Sequence, residues 1–154
     1  MYRKQKFLTG FTIIELLIVI AVIAILVGIA LPRFKGMQDE GKITQAKGEL
    51  RTLQTAVESY YIHNANTYPV NIDGDLTDAV PNIIGALSPA DPFNGTNKYG
   101  YATDGESPVK YYVIYSIGID GDGAAVVDAD GDVSETNGES CIYVTNGTTK
   151  DAQP

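Results

Sequence analysis

Gly10-Phe11-Thr12-Ile13-Ile14-Glu15-Leu16-Leu17, continuing to Leu31 as GFTIIELLIVIAVIAILVGIAL (residues 10–31), decides how the rest of this sequence is read. From Phe11 to Leu31 only Thr12, Glu15 and Gly28 are polar or helix-weakening. At ~1.5 Å per residue the run is roughly 30 Å long as a helix, which matches a bilayer core. It is apolar on every face, whereas a helix of a soluble core needs one apolar stripe. Arg3, Lys4 and Lys6 precede it. Positive charge stays on the cytoplasmic side, so the residues after Leu31 are expected outside the inner membrane. An ordinary secretory signal places its small-residue cleavage site after the apolar stretch. Here the small residue, Gly10, comes before it. Glu15 lies inside the run, where an unpaired carboxylate costs on the order of 3 kcal/mol, and such a residue is a functional candidate.

A short basic leader, Gly10, Phe11, Glu15 and the apolar run, in that order and spacing, resemble the prepilin cleavage and methylation motif. That motif marks type IV pilins and the pseudopilins of type II secretion. The resemblance implies cleavage between Gly10 and Phe11 by a prepilin peptidase, an aspartic membrane protease, and methylation of the new amino group on Phe11. It implies also that Glu15 pairs with the freed amine of a neighbouring subunit during assembly. Charge physics agrees: cleavage creates a cation at Phe11, and a buried carboxylate needs a partner to offset its desolvation. Snorkelling, or pairing with its own amine, is the competing reading of Glu15.

The segments expected from the sequence are a leader at 1–10, a transmembrane or filament-core helix at 11–31, an amphipathic helix at 32–66 and a globular head at 67–154. Pro32, Gly36 and Gly41 weaken the helix after the apolar run. By resemblance to pilin filaments, Gly28–Pro32 is the stretch expected to melt partly on assembly. Ile43, Ala46, Leu50, Leu53, Val57 and Tyr60 then recur at spacings of three or four, which predicts one apolar stripe facing a core. The helix is expected to stop near His63–Asn66, because Pro69 disfavours helix at Tyr68. His63 has no histidine or cysteine near it in sequence and reads as a surface or capping residue.

Beyond Asn71 the chain is rich in Gly, Asp, Asn and Pro, which predicts loops and strands. Tyr111–Ile119 is the strongest strand, Cys141–Thr145 the second, and Ala124–Val127 and Lys98–Ala102 are weaker. Leu76–Leu87 holds one or two helical turns broken by Pro81. The fold class is therefore α+β, a long N-terminal helix whose second half packs on a small antiparallel sheet. Cys141 is the only cysteine, so no disulfide within the chain pins the head.

An acidic, Gly-rich stretch holds Asp120, Asp122, Asp128, Asp130, Asp132, Glu135 and Glu139. Brought together, such carboxylates make a hard-oxygen site suited to calcium; spread over a loop they are merely solvated. Asp128-x-Asp130-x-Asp132 approaches EF-hand spacing, but Val133 stands where that loop requires glycine. Tyr68-Pro69, Asp91-Pro92-Phe93 and Tyr115-Ser116-Ile117-Gly118-Ile119-Asp120-Gly121 resemble the corresponding segments of the major pseudopilins of type II secretion. That resemblance implies a calcium ion held by groups around Ser116, Asp120, Asp122 and Asp128.

The chain is 154 residues long with a formal charge of -8. Loss of residues 1–10 removes three positive charges and no negative one, leaving -11. A polyanion of this kind is not expected to bind nucleic acid. Asn94-Gly95-Thr96 and Asn146-Gly147-Thr148 match a glycosylation acceptor pattern and read better as turns. No phosphate-binding glycine loop or nucleophile–base motif is present, so no enzyme is expected. The function expected is a structural subunit of a helical, self-associating filament, most of all the major pseudopilin that drives protein export. A type IV pilus subunit for adhesion or motility is the runner-up. A membrane-anchored calcium-binding module or enzyme is the alternative of another class. The resemblance implies as partners the prepilin peptidase, an inner-membrane assembly platform and minor pilins or pseudopilins. It implies an inner-membrane precursor and then a periplasmic or cell-surface filament.

Overall fold

The computed structural model describes residues 10–79, 83, 89–95, 97–136 and 141–149. Helix α1 runs from Ile13 to His63. The chain divides into two compact units, Met1–Gln38 and Asp39–Pro154.

In the first unit α1 continues unbroken through Gly28 and Pro32. A proline removes one intrahelical hydrogen bond, and the flanking apolar residues of high helix propensity carry the helix across it. The stretch expected to melt on assembly is thus helical in the single chain. Its large side chains are uncovered on all sides: Leu16, Ile20, Ile23, Leu26, Ile29 and Leu31 are all exposed.

In the second unit α1 is one-sided. Ala46, Leu50, Leu53, Ala56 and Val57 are buried, as the stripe predicts, and Ile43 and Tyr60 lie at its margins. These residues meet Tyr68, Ile72, Leu76, Tyr99, Val109, Tyr112 and Ile114 in one cluster. Burying a Leu such as Leu50 completely stabilises by about 1.5–3 kcal/mol before entropy is counted. The helix stops at His63, with Ala65 and Asn66 in the left-handed region at φ 54° and 58°. Asn66 N–H donates to Tyr61 O, and His63 Nδ1–H donates to Ser59 O at 2.8 Å. His63 is thus an exposed residue bonded within its own helix.

Six strands follow: β1 Gly100–Thr103, β2 Tyr112–Ser116, β3 Ala124–Val127, β4 Asp132–Thr136, β5 Ile142–Thr145 and β6 Thr148–Thr149. They form two three-stranded sheets, ordered β1-β2-β5 and β3-β4-β6. The first is wholly antiparallel, and in the second β6 runs parallel to β4. The sheet predicted from sequence is therefore two small sheets, and β4 and β6 went unpredicted because Asp132–Thr136 and Thr148–Thr149 are polar. The strand expected at Tyr111–Ile119 ends at Ser116, where Gly118 at φ 70° turns the chain. Period-two alternation puts Tyr112 and Ile114 on the helix side. Val113 faces the opposite side, with Ala125, Val127 and Val133. A seven-residue helix, α2 (Ile72–Asp78), precedes the sheets and is capped by Asn71, whose side chain accepts from Asp73 N–H and Gly74 N–H. It begins four residues before the helical turns expected at Leu76–Leu87, most of which lie outside the described residues.

Candidate functional site

The N-terminal end of α1 is closed by its own side chains. Thr12 N–H and Thr12 Oγ1–H both donate to Glu15 Oε2, at 2.9 and 2.8 Å, and Glu15 N–H donates back to Thr12 Oγ1 at 3.3 Å. This is a capping box: the residue before the helix and the third residue in it satisfy each other's orphan groups. Leu16 N–H donates to Thr12 O, which fixes Thr12 as the cap. The spacing Thr-x-x-Glu was legible in the sequence, and the reading of Glu15 as carboxylate alone missed it. Gly10 and Phe11 lie immediately before the cap, both exposed. Residues 1–9, expected to form the leader, lie outside the described residues. From Ile13 the helix is long and apolar enough to cross a membrane. Its uncovered apolar surface needs lipid or other helices around it.

The four residues expected to share a metal are spread over the end of β2, the turn that follows it and the β3–β4 turn. Asp120 and Asp122 are exposed on the turn after β2, where Gly121 N–H donates to Gly118 O and Gly123 N–H to Ile117 O. Asp128 lies at the other end of β3, roughly 13 Å away at about 3.3 Å per residue of a four-residue strand. Its Oδ1 accepts from Asp130 N–H and Asp132 N–H at 3.1 and 2.9 Å, which shapes the β3–β4 turn. Ser116 is fully buried, and its Oγ–H donates to Asp91 Oδ1 at 2.9 Å. Among the described residues no three Asp, Glu, His or Cys converge as a metal site would. Glu139 lies outside the described residues.

Asp91 is the residue that sequence reasoning passed over. It is 1% exposed. It accepts from Ser116 Oγ–H, Ile117 N–H and Phe93 N–H. One buried carboxylate thus ties the Asp91-Pro92-Phe93 turn to the end of β2. Cys141 sits against the same corner, its Sγ–H donating to Ser116 O at 3.4 Å. Burial, with Glu135 and then Asp91 nearby, pushes the Cys141 thiol up to about 12, which makes it unreactive at neutral pH.

A second polar pair braces the helix against the sheet. Glu58 accepts from Tyr112 Oη–H at 2.7 Å and from Tyr68 Oη–H at 3.2 Å. Tyr68 also stacks on Tyr61, with ring centroids 4.5 Å apart. These contacts stand where a disulfide is absent.

Residues 33–136 match the family model of type II secretion system protein G. The type II secretion system core protein G of Pseudomonas aeruginosa is 30% identical over 144 residues, covering 84% of this chain and 96% of that protein. This chain belongs to the type II secretion protein G family. Shorter similarity extends to pilins. The type IV major pilin protein PilA of Myxococcus xanthus is 48% identical over 52 residues, 34% of this chain and 24% of PilA. The type IV major fimbrial protein FimA of Dichelobacter nodosus is 30% identical over 108 residues, 65% of this chain and 67% of FimA. No solved structure matches the chain significantly. This protein G relative is a pilin-like filament subunit that assembles with copies of itself, and its apolar N-terminal helix is a membrane anchor. The relatives are structural subunits rather than enzymes.

Proposed function

We propose that this chain is the major subunit of a type II secretion pseudopilus, a short filament that pushes proteins out through the periplasm. The observation that carries this reading is the match to protein G over 84% of this chain and 96% of that protein. The same helix supplies the mechanism. A prepilin peptidase cuts after Gly10, Phe11 is methylated, and the helix waits in the inner membrane with its head outside the cytoplasm. An assembly platform then lifts each subunit into the filament, on a tip of minor pseudopilins, and the apolar helices leave lipid to pack on one another. Glu15 finds the Phe11 amine of a neighbour, which sets the axial register.

The test has two parts. Mass spectrometry of the assembled protein should give a chain beginning at methylated Phe11. Deleting the gene should stop export of the secreted proteins while leaving surface pili intact, and Glu15→Ala should restore the membrane-held protein but not export. Surface pili lost with secretion unaffected would replace this reading by a type IV pilus, the alternative that the pilin similarities favour. Calcium remains part of the proposal in a narrower form. Asp120 and Asp122, with backbone carbonyls of their turn, would hold the ion, and Asp128 would not. Calcium should then raise the melting temperature of wild type and Asp128→Ala alike, but not of Asp120→Ala.

A further inference from the structure

A subunit of formal charge -11 must stack against copies of itself, and like charges at filament spacing oppose that. The charges are not evenly spread. Of the eight Lys and Arg beyond the leader, five fall between residues 33 and 51: Arg33, Lys35, Lys42, Lys47 and Arg51. Beyond Arg51, fifteen acids face three bases. An open helical filament is built from a heterologous contact, in which two different patches of one chain meet head to tail. Segregated charge offers two such patches.

We propose that the exposed helix flank at Lys47 and Arg51 receives the acidic β3–β4 turn, centred on Asp130, of a second copy. This rests on the filament reading above. Lys47 and Arg51 stand one helical turn apart at the edge of α1's buried stripe, and both are exposed. Two cations at that spacing repel on an isolated helix. Neither forms an ion pair among the described residues, where the salt bridge is Lys98 to Asp73 at 2.8 Å. Lys42, by contrast, lies over the Phe93 ring at 5.6 Å within its own subunit.

The partner patch is rigid. Gly131 N–H donates to Asp128 O and Asp128 N–H to Asp132 O, while Asp128 Oδ1 takes the amides of Asp130 and Asp132. Gly131 stands at φ 85° beneath the Tyr111 ring. Asp128 and Asp130 are thereby held out to solvent, with Glu135 exposed on β4 behind them. The turn is preformed, so its backbone loses little freedom when the two surfaces meet. Opposite charge also fixes which faces meet and suppresses parallel stacking of the acidic heads.

The experiment uses the full chain in cells that assemble filaments. Arg51→Glu should reduce filament yield by about tenfold, since it turns an attraction repeated along the polymer into a repulsion. Asp130→Arg should do the same. The two together should restore yield to within about twofold of wild type. Arg51→Cys with Asp130→Cys should give disulfide-linked ladders between copies on oxidation, Cys141 being unreactive. Unchanged melting of each variant in detergent shows that the fold survives. Wild-type yield from Arg51→Glu, failure of the swap to restore it, or absence of ladders would each overturn the proposal. So would filaments indifferent to the charge reversals that dissolve on chelation, because the acidic turn would then meet a cation rather than a copy. If wild type itself builds no filament, the function proposed above falls and this contact falls with it. If wild type assembles and the swaps have no effect, only the contact is wrong.

Discussion

Glu58 is the place to strike the head. Its carboxylate accepts from Tyr112 Oη at 2.7 Å and Tyr68 Oη at 3.2 Å, and Tyr112 is fully buried. A hydrogen bond to a charged group stabilises by about 1.5–3 kcal/mol. Tyr112 should sit mid-range and Tyr68, with the longer contact, at the low end, giving ~4 kcal/mol for Glu58→Ala before other partners are counted. Gln54 and Asn146 lie close enough to Tyr112 and Tyr68 to take up part of this, so the expected loss is ~2–3 kcal/mol. For a unit the size of Asp39–Pro154 that corresponds to a fall of roughly 6–15 °C in melting temperature. Glu58→Gln keeps one acceptor and should lose about half as much. The assay is calorimetry of the full chain in detergent, with Glu40→Ala as the exposed control and Tyr112→Phe to close a double-mutant cycle. If Glu58→Ala melts within about 2 °C of Glu40→Ala, the brace is not a source of stability and the reasoning fails.

Three more outcomes follow from the same packing. Burial first, and then neighbouring carboxylates, raises Tyr68 to about 12 and raises Tyr99, Tyr101 and Tyr112 further. Tyrosines in the unfolded chain ionise near pH 10, so the stability these neutral phenols carry is complete below about pH 10 and is lost as pH rises toward their folded values. Melting curves that stay flat from pH 9 to about 11 would contradict that placement. Gly100→Ala would drive its Cβ into the Tyr115 ring, and chemical denaturation should show a loss of about 1–3 kcal/mol. Ala65→Gly should raise the melting temperature by a few degrees, because Ala65 holds φ 54°, a conformation that costs an L-residue about 1 kcal/mol; an unchanged or lower value would show the helix end is not strained.

The α+β class, the helix stripe and the end of α1 were legible because each rests on a local rule. Leu50, Leu53 and Val57 repeat at helical spacing whatever they touch, and Tyr112–Ser116 is β-branched and aromatic enough to declare itself. Asp132–Thr136 was not legible because it is polar, although it pairs locally with Ala124–Val127, and Thr148–Thr149 was not because its pairing depends on Gly131 O accepting from Thr148 N–H, a contact between residues far apart in sequence. For the acids, spacing along the chain says little about spacing in the fold. Seven acids crowd one stretch of chain, but a four-residue strand inside that stretch carries Asp128 away from Asp122. Asp91 was hidden by the opposite effect: nothing in Asp-Pro-Phe announces that Ser116, twenty-five residues later, will donate to it.

On the proposed reading, Glu15 serves both stages of an assembling subunit. A bare carboxylate in lipid would oppose insertion, yet here Thr12 supplies two hydrogen bonds to it at the helix N-terminus. The positive end of the helix dipole adds to that stabilisation, so the precursor can hold Glu15 before any neighbour arrives. On the reading proposed here, assembly then exchanges the Thr12 donors for the Phe11 amine of another copy. The gain on polymerisation is the difference between those two environments, not the whole desolvation energy of a buried ion. A modest difference per subunit suits a filament that must grow and come apart again, because a contact worth the full value would be irreversible. On that reading the axial register survives the exchange, since a single carboxylate in the apolar run from Phe11 to Leu31 leaves an incoming amine one place to stop.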